Sequence, residues 1–467
     1  MKIFFIEARG TSKYLHNGLA YLTGSLKDRH DVKIFDLNIL DWSGEKIIEA
    51  AREQKPDIIG FSMKSFNLKN VLALAEKIKE VVAAKLIVGG PHITVAAKDF
   101  FGKDNNEVFD FGYQGEGDVW FARFCDNFSK PEEYKNIPGL IYSDKGVWQF
   151  NANKFIQNLD DISYPDFDCF EGGVDFESQD GYPLLTSRGC PYQCIYCSVS
   201  KVSGRIWRFR SPKNIIGELK RAVEEYEIKK FKIIDDNFTL NIERAKEFCR
   251  ILIKEKMNLA WSCPNGLRAD RLDDELVRLM KEAGCKEVSL GIESGDEKVF
   301  DFINKGEKLS AIENAVKILK EHKLKVDAFF IVGLPFETIK SIKKSIKLIG
   351  KLGIDNVKWN MLVPYPQTAL WDWVVKNGRV LKNFTSGQHF SREKGVEPIF
   401  ETSDYSARQR IKAYKIANLS TGAYQYVFKR PKNKWLFYLK YSFYLLRYNP
   451  GLFFKKVLKK LNIKEKS

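Results

Sequence analysis

The chain has 467 residues, which is enough for two or three domains with sizeable cores. Its 44% apolar and 29% charged residues exclude a predominantly disordered protein, and five histidines are too few for a His-rich metal protein. Most of the formal net charge of +16 lies at the end of the chain, where residues 429–467 contain twelve Lys or Arg and a single acid, Glu465. The rest of the chain is only mildly basic, so we expect no nucleic-acid groove.

The N-terminus and the cysteine content indicate a reducing compartment. The first residues, MKIFFIEARG, form a short apolar run that Glu7 and Arg9 interrupt, and no small-residue cleavage site follows. This pattern favours a first strand over a signal peptide, so we expect a cytoplasmic protein. Eight cysteines are far below the density of a disulfide-stabilised protein, and we interpret the clustered ones as metal ligands.

In residues 1–130, short apolar runs alternate with amphipathic stretches. The runs KIFFIE, DVKIFDL, DIIGFS and KLIVGG are separated by the helical segments GLAYLTGSL, EKIIEAAREQ and NVLALAEKIKEVV. This rhythm predicts a doubly wound, Rossmann-like α/β domain with a parallel sheet. Ligands of such sheets bind beyond the carboxyl ends of the strands, here near residues 7–11, 36, 62–64 and 89–92. Gly89 and Gly90 would let a ligand approach the backbone closely, and Gly115 to Gly117 form another such loop.

Residues 131–180 carry several prolines and the pair Gly172-Gly173, which predicts a linker. A second strand–helix series then occupies residues 181–365, with the strands PLLTS, KFKIIDD, LAWSCP, EVSLGI, VDAFFIVGL and NVKWNML. Six strands, each followed by a helix or loop, predict a partial (β/α)6 barrel of the TIM type with its active site at the carboxyl ends of the strands. Residues 366–467 are predicted to form a helical, basic C-terminal region.

Three cysteines, Cys190, Cys194 and Cys197, directly follow the first predicted barrel strand. Three thiolates can bind three corners of a cubane iron–sulfur cluster, which leaves the fourth iron open for a substrate or cofactor. A closed electron-transfer cluster needs a fourth cysteine, and none follows Cys197 before Cys249. Structural zinc also needs a fourth ligand, and no histidine is nearby in the sequence. The remaining alternative, three buried cysteines without a metal, is disfavoured by their tight spacing.

The segment SRGCPYQCIYC resembles the CxxxCxxC signature of radical S-adenosylmethionine (SAM) enzymes, including the aromatic Tyr196 before the last cysteine. Four further motifs at predicted strand ends agree with that family in order: IIDDNF, LRAD, LGIESG and FIVGLP. The resemblance covers about residues 180–365. It implies a [4Fe–4S] cluster on Cys190, Cys194 and Cys197, SAM on the unique iron, an external electron donor of the flavodoxin or ferredoxin type, and a 5′-deoxyadenosyl radical that takes a hydrogen atom from substrate.

The same resemblance implies a set of SAM-binding residues at the strand ends: Tyr196, Asp235, Asp236, Arg268, Glu293, Ser294, Gly333 and Pro335. Carboxylates suit the ammonium and ribose hydroxyl groups of the cofactor. Two alternatives stay open, namely that Asp236 caps the following loop or helix and that Arg268 pairs with Asp270 instead of holding a carboxylate. The sequence identifies no further catalytic residue.

The N-terminal domain is similar to the cobalamin (B12)-binding domain that precedes the radical module in a large subfamily. The matching segments are LAYLTGSLKDRHDVKIFDLN, PDIIGFS, KLIVGGPHIT and GYQGEGDVWF. The DxHxxG string of other cobalamin domains, whose histidine binds cobalt, is absent, and we expect His92 to be a loop residue rather than a cobalt ligand. The cobalamin-binding residues that the similarity implies are Ser62, Gly89, Gly90, Pro91, His92, Gly115 and Glu116.

Together the resemblances imply a cobalamin-dependent radical SAM methyltransferase that acts on an unactivated carbon of a small-molecule or lipid-like substrate. One alternative is a radical SAM cyclase or rearrangement enzyme that binds cobalamin without transferring methyl. Another is a cobalamin-binding sensor module with a purely structural cluster. A methylthiotransferase is disfavoured, because its second cluster needs three more cysteines and only Cys125 and Cys169 precede the barrel.

The C-terminal tail is aromatic and basic. Between Trp435 and Phe454 the apolar run is interrupted by Lys440, Arg447 and Pro450, which disfavours a membrane-spanning helix. The pattern favours a helix lying in an anionic membrane interface, so that the protein is peripheral to the membrane, and the alternative is a helix packed over the barrel mouth or against another subunit. Residues 366–430 can equally shape a pocket for a small polar metabolite, through Trp371, Trp373, His389 and Tyr405.

Overall fold

The computed structural model describes residues 1–10, 14–102, 108–382, 390–391 and 395–422, and in the tail residues 435, 439, 442–443, 446–447, 450 and 453–454. Two units with parallel sheets follow one another along the chain. The predicted α/β class, a Rossmann-like domain followed by a six-stranded partial barrel, is confirmed.

The N-terminal sheet has seven strands in the order β2-β1-β3-β4-β5-β6-β7. Strands β1 to β5 are parallel, and β6 and β7 continue the sheet in antiparallel fashion. The strands are β1 (Lys2–Glu7), β2 (Asp31–Asp36), β3 (Ile58–Ser62), β4 (Lys85–Gly89), β5 (Phe111–Tyr113), β6 (Leu140–Asp144) and β7 (Val147–Phe150). The helices are α1 (Asn17–Gly24), α2 (Gly44–Gln54), α3 (Leu68–Val81), α4 (Pro91–Phe101) and α5 (Trp120–Asp126).

Strands β1, β3 and β4 are nearly continuous apolar runs because helices cover the sheet on both faces. Neighbouring residues of β1 therefore point into different cores. Phe4 packs among residues of the N-terminal domain alone, whereas Phe5 belongs to a core that continues into the barrel through Tyr182 and Trp261. The two units thus share one apolar core, which holds the edge of the sheet against the barrel.

The segment 131–180, predicted as a linker, instead contributes β6 and β7 to the N-terminal sheet. The two strands form a hairpin whose turn residues, Lys145 and Gly146, both have positive φ (49° and 81°), the backbone that a tight hairpin turn requires. The remainder of the segment also packs on the sheet, since Phe170 forms a β-bridge with Ile34. Because this segment contains many prolines and glycines, its sequence pattern predicted a linker and did not reveal these two short strands.

The barrel sheet is six-stranded and parallel, in the order β15-β14-β13-β12-β11-β8. The strands of this part of the chain are β8 (Tyr182–Leu184), β9 (Ser187–Arg188), β10 (Arg208–Phe209), β11 (Lys230–Ile233), β12 (Ala260–Leu267), β13 (Cys285–Glu293), β14 (Lys325–Val332) and β15 (Asn356–Met361). The helices are α6 (Val199–Val202), α7 (Pro212–Tyr226), α8 (Ile242–Lys254), α9 (Asp274–Glu282), α10 (Glu297–Phe302), α11 (Leu309–Glu321) and α12 (Ile339–Leu352). The short strands β9 and β10 pair with each other outside the barrel sheet.

The C-terminal region begins with α13 (Ala369–Asn377), continues through the short strands β16 (Gly378–Val380), β17 (Phe390–Ser391), β18 (Gly395–Val396) and β19 (Phe400–Thr402), and ends with α14 (Ala407–Ser420). His389 and most of the basic tail lie outside the described residues. Within the part of the chain that the structure describes, no helix is both long enough and apolar enough to cross a membrane.

Candidate active site between the two domains

The loop that carries the three cysteines leaves the barrel through β9 and returns through β10. Gly189 begins the loop with a φ of 84°, and a Cβ at this position would lie 2.4 Å from the carbonyl oxygen of Ile206, so the turn requires glycine. The N–H of Cys190 donates to the Gly204 carbonyl at 3.2 Å. The loop is therefore closed at its base and lies just beyond the carboxyl end of β8.

The three thiols are partly buried and close to one another. Burial raises the pKa of Cys190, raises that of Cys194 to about 11 and raises that of Cys197 to about 12, and neighbouring thiols add to the rise at the last two. Among the described residues, no three His, Cys, Asp or Glu side chains form a site for one metal ion. Three thiolates in one loop are the donor set that a cubane iron–sulfur cluster with one open iron requires.

The two adjacent carboxylates after β11 have different surroundings. Asp235 is buried and accepts hydrogen bonds from the Thr186 N–H (2.6 Å) and from the hydroxyls of Thr186 (2.5 Å) and Ser187 (2.6 Å), so it braces the strand that enters the cysteine loop. The SAM-binding role predicted for Asp235 is not supported by this geometry. Asp236 lines a cavity of about 1200 Å³ between the two domains. Burial together with the charge of Asp235 raises the pKa of Asp236 to about 6.

Arg268 directs most of its donors to protein acceptors. Its guanidinium donates to both carboxylate oxygens of Asp270 at 2.9 Å and to the carbonyls of Lys305 (2.6 Å) and Gly306 (3.1 Å), and it stacks 3.4 Å from the ring centre of Tyr192. The alternative that it pairs with Asp270 is therefore the one observed, with Arg268 buried and Asp270 at the surface. The physical reason is that four of the five N–H donors of the guanidinium bind protein acceptors while its face stacks on Tyr192.

Glu293 ends β13 in a left-handed conformation, with a φ of 64°. Its carboxylate is hydrogen-bonded by Tyr196 and lies 3.9 Å from the Lys305 ammonium, and burial raises its pKa. Both Glu293 and Tyr196 line a second, smaller cavity between the two domains, of about 740 Å³. Its neighbour Ser294 is buried and accepts a hydrogen bond from the Asp296 N–H at 3.2 Å, which is a turn-capping role.

Gly333 and Pro335 form the turn after β14. The Gly333 N–H donates to Glu337 at 2.5 Å, and its carbonyl accepts from the guanidinium of Arg410 at 2.5 Å. Burial raises the pKa of Glu337 to about 8. Helix α14 of the C-terminal region thereby fixes this turn through Arg410, whose side chain is almost fully buried.

The cavity of about 1200 Å³ lies between the carboxyl ends of the N-terminal strands and the barrel. Six of the seven residues predicted to bind cobalamin line it: Ser62, Gly89, Gly90, Pro91, Gly115 and Glu116. The seventh, His92, is not among its lining residues. His92 lies in the first turn of α4, is buried, and pairs through Nδ1 with the Ser65 hydroxyl at 3.0 Å, so the expectation of a loop residue is wrong.

Buried ion pairs connect the two domains next to the cysteine loop. The Arg188 guanidinium donates to the two oxygens of Asp118 at 2.7 and 2.8 Å, and the Arg208 guanidinium donates to those of Glu116 at the same distances. The arginines are paired residues of β9 and β10, and the carboxylates belong to the GEGD turn after β5. Glu116 therefore has a structural partner as well as a place in the cavity wall.

Comparison with known proteins matches this arrangement. The family model of the radical SAM superfamily matches residues 184–349, and that of the B12 binding domain matches residues 8–124. The uncharacterized methyltransferase PH0819 of Pyrococcus horikoshii is 32% identical over 422 residues, which is 89% of this chain and 88% of that protein. The chain belongs to the radical SAM superfamily and carries an N-terminal B12-binding domain.

Two further similarities concern this radical SAM protein. The anaerobic magnesium-protoporphyrin IX monomethyl ester cyclase of Cereibacter sphaeroides is 27% identical over 371 residues, which cover 76% of this chain and 59% of the cyclase. The structure of the radical SAM methyltransferase TsrM of Kitasatospora setae, with tryptophan and a SAM analogue bound, superposes with a TM-score of 0.72 at 14% identity, covering 90% of this chain and 88% of TsrM. The second similarity establishes the shared fold.

The cofactors of this radical SAM protein are a [4Fe–4S] cluster, SAM and cobalamin, and its residues fit them. The three thiols provide the donor set for a cluster with one open iron. Next to Cys190, the buried side-chain oxygen of Asn237 has no hydrogen-bond partner within the described structure, which leaves an acceptor for a bound group. The larger cavity, of about 1200 Å³, lies at the carboxyl ends of the N-terminal strands, and the glycines in its wall would let a bound group approach the backbone.

His16 was missed in the sequence, whereas Glu7 and Lys64 fall within the predicted ligand edge. His16, Lys64 and Glu7 form a polar cluster at the ends of β1 and β3, with Lys64 bound to Glu7 at 2.6 Å and His16 Nε2 2.6 Å from the Ser62 hydroxyl. His16 and Lys64 line the larger cavity, so His92 is not the only imidazole near the predicted ligand edge. The position of His16 in the loop after β1 was the available signal, because such loops form that edge.

Proposed function

We propose that this protein is a cobalamin-dependent radical SAM methyltransferase that methylates an unactivated carbon of a small-molecule substrate. The observation that carries the proposal is the meeting of two cavities at the cysteine loop. Lys64 and Pro91 of the N-terminal domain and Val202 of the loop line both cavities. A group held at the N-terminal strand ends and a group held at the cluster would therefore face a common space.

When bound, the cluster and SAM would supply the radical that removes a substrate hydrogen atom, and cobalamin would supply the methyl group. The protein would position these groups. The ion pairs of Arg188 and Arg208 hold the cysteine loop against the cobalamin-binding edge, Glu293 and Asp236 offer carboxylates to SAM, and the shared apolar core keeps the domains from separating.

The decisive experiment is anaerobic reconstitution with iron, sulfide and hydroxocobalamin, followed by incubation with SAM and a low-potential reductant. We expect 5′-deoxyadenosine, which reports radical formation, and S-adenosylhomocysteine, which reports methyl donation by SAM. Cys197→Ala should abolish 5′-deoxyadenosine, whereas Cys169→Ala, a cysteine outside the loop, should not. If the protein did not retain cobalamin on gel filtration, the methyltransferase proposal would be contradicted.

A second candidate is a cyclase or rearrangement enzyme, which the similarity to the Cereibacter sphaeroides cyclase favours. Such an enzyme would form 5′-deoxyadenosine without stoichiometric S-adenosylhomocysteine. The same incubation therefore separates the two candidates, because methyl transfer requires a second SAM molecule to be converted to S-adenosylhomocysteine for each product.

We also propose that the protein is cytoplasmic, receives its electron from a flavodoxin or ferredoxin, and contacts the membrane surface through its tail. The tail carries twelve cations, and Leu439, Leu446 and Phe454 are exposed apolar residues within it. Co-sedimentation with vesicles that contain anionic lipid, but not with neutral vesicles, is the expected result. Replacing Lys455, Lys456, Lys459 and Lys460 by Gln should weaken that binding.

A further inference from the structure

The smaller cavity, of about 740 Å³, has a volume typical of small-molecule sites. Four parts of the chain enclose it: the strand-end loops of the N-terminal domain (Lys64 to Phe66 and Pro91 to Ala96), the cysteine loop (Tyr196, Ser198 and Val202), the last two barrel strands with the segment after them, and the C-terminal region through Val396, Glu397 and Tyr414. A molecule in this cavity would lie between the SAM-side residue Glu293 and the cobalamin-side residue Pro91.

Most of the wall is apolar. Its apolar and aromatic members include Phe66, Val95, Phe329, Trp359, Met361 and Val396. They come from both domains and from the C-terminal region, so no single element accounts for the apolar character. The apolar surface of a ligand is stabilised when it leaves water and contacts such a wall. A charged group of a ligand would lose its hydration there and gain no polar contact in return.

The few charged groups of this wall already have partners. Glu293, the carboxylate offered to SAM, lies 3.9 Å from the Lys305 ammonium and accepts a hydrogen bond from Tyr196. Lys64, the one lysine or arginine among the described lining residues, is bound to Glu7 at 2.6 Å. Glu397 forms an ion pair with Lys382. His92 is hydrogen-bonded to Ser65, and burial lowers its pKa to about 4, so it is neutral. The larger cavity differs, since Arg188, Lys230, Lys232, Lys286 and Lys358 are among its lining residues.

We propose that the smaller cavity holds the substrate and that the part of the substrate placed there is an uncharged, apolar carbon skeleton. Among the described lining residues, a phosphate or carboxylate in this cavity would find no cation that lacks a carboxylate partner, so its desolvation would be strongly unfavourable. The neutral polar groups of the wall, such as the Asn360 amide, fit a hydroxyl, ether or carbonyl oxygen instead. This inference rests on the proposed function and adds the substrate class to it.

The test compares pairs of probes in which one member carries an added ionic group, namely geranylgeraniol with geranylgeranyl phosphate and 3-methylindole with zwitterionic tryptophan. Equilibrium dialysis uses the full-length reconstituted protein, with each probe below its aggregation concentration. We expect each neutral probe to bind at least about tenfold more tightly than its charged counterpart. Equal or tighter binding of the charged probes, or no measurable binding of either neutral probe, would overturn the inference.

Variants localise the effect to the cavity. Met361→Lys places a cation in the wall and should reduce the preference for the neutral probes by about tenfold or more. Val95→Lys is a second variant on another wall, should the first not fold, and Val147→Lys, at a position 61% exposed on β7, is the matched control. A preference that neither cavity variant changes would contradict the assignment.

The two proposals fail separately. If the neutral probes bind as expected but the protein forms no S-adenosylhomocysteine, methyl transfer is contradicted and the cavity assignment stands. If the protein forms S-adenosylhomocysteine but prefers the charged probes, the cavity assignment is contradicted and methyl transfer stands.

Discussion

Arg188 and Asp118 form a bidentate ion pair, with distances of 2.7 and 2.8 Å, that joins the two domains two residues before the first cluster cysteine. Both side chains are largely buried, and the guanidinium holds the pKa of the Asp118 carboxyl below its usual value. The pair therefore stays ionised at neutral pH. Because Arg188 lies at the start of the cysteine loop, its ion pair with Asp118 holds that loop against the cobalamin-binding domain.

Asp118→Asn should destabilise the protein by about 3–5 kcal/mol, because it leaves the Arg188 charge buried without its bidentate partner. The shift of the urea midpoint measures this loss. Glu45→Gln, which removes an exposed partner of Lys77, is the control and should cost about 1 kcal/mol or less. An Asp118→Asn protein as stable as the control would show that the pair does not hold the domains together.

Glu7 should make stability depend on pH. Burial raises its pKa to about 7 from 4.5, so the folded protein binds this proton more tightly than the unfolded chain. The stabilisation is present in full below pH 4.5 and is lost as the pH rises through 7, by up to about 3 kcal/mol. In Glu7→Gln the free energy of unfolding should fall less between pH 5 and pH 8. Parallel pH profiles of the two proteins would contradict the assignment.

Asp235 and Asp236 should have different roles despite their adjacency. Asp235→Ala removes the acceptor of three hydrogen bonds from Thr186 and Ser187 and should cost at least about 3 kcal/mol of stability. Asp236→Asn should change stability by about 1 kcal/mol or less and weaken SAM binding, measured by calorimetry under anaerobic conditions. The opposite pattern would contradict the structural role proposed for Asp235 and the SAM-binding role proposed for Asp236.

Arg410 should connect the C-terminal region to the SAM side of the barrel. Arg410→Ala removes the donor to the Gly333 carbonyl and should lower the affinity for SAM by about tenfold, since the Gly333 turn loses its support. Arg408→Ala, at an exposed position of the same helix, is the matched control. Unchanged SAM affinity in Arg410→Ala would show that the turn holds its shape without α14.

The sequence alone was sufficient for the fold class and the order of the two domains, and it also placed three cysteines in one loop and glycines at the carboxyl edge of the N-terminal sheet. These features are local. Strand periodicity, a CxxxCxxC spacing and glycines after strands are written in contiguous residues, and the carboxyl ends of parallel strands must meet at one edge. That is why Ser62, Gly89 and Gly90 line one cavity as expected.

The tertiary structure decided which polar residues serve the site and which support the fold. Asp235 and Asp236 are adjacent in sequence, yet one faces Thr186 and the other faces the cavity. Arg268 uses its donors on Asp270 and two carbonyls, and the hairpin of β6 and β7 joins a sheet that begins over a hundred residues earlier. A side chain's role depends on partners distant in sequence, and periodicity contains no information on those partners.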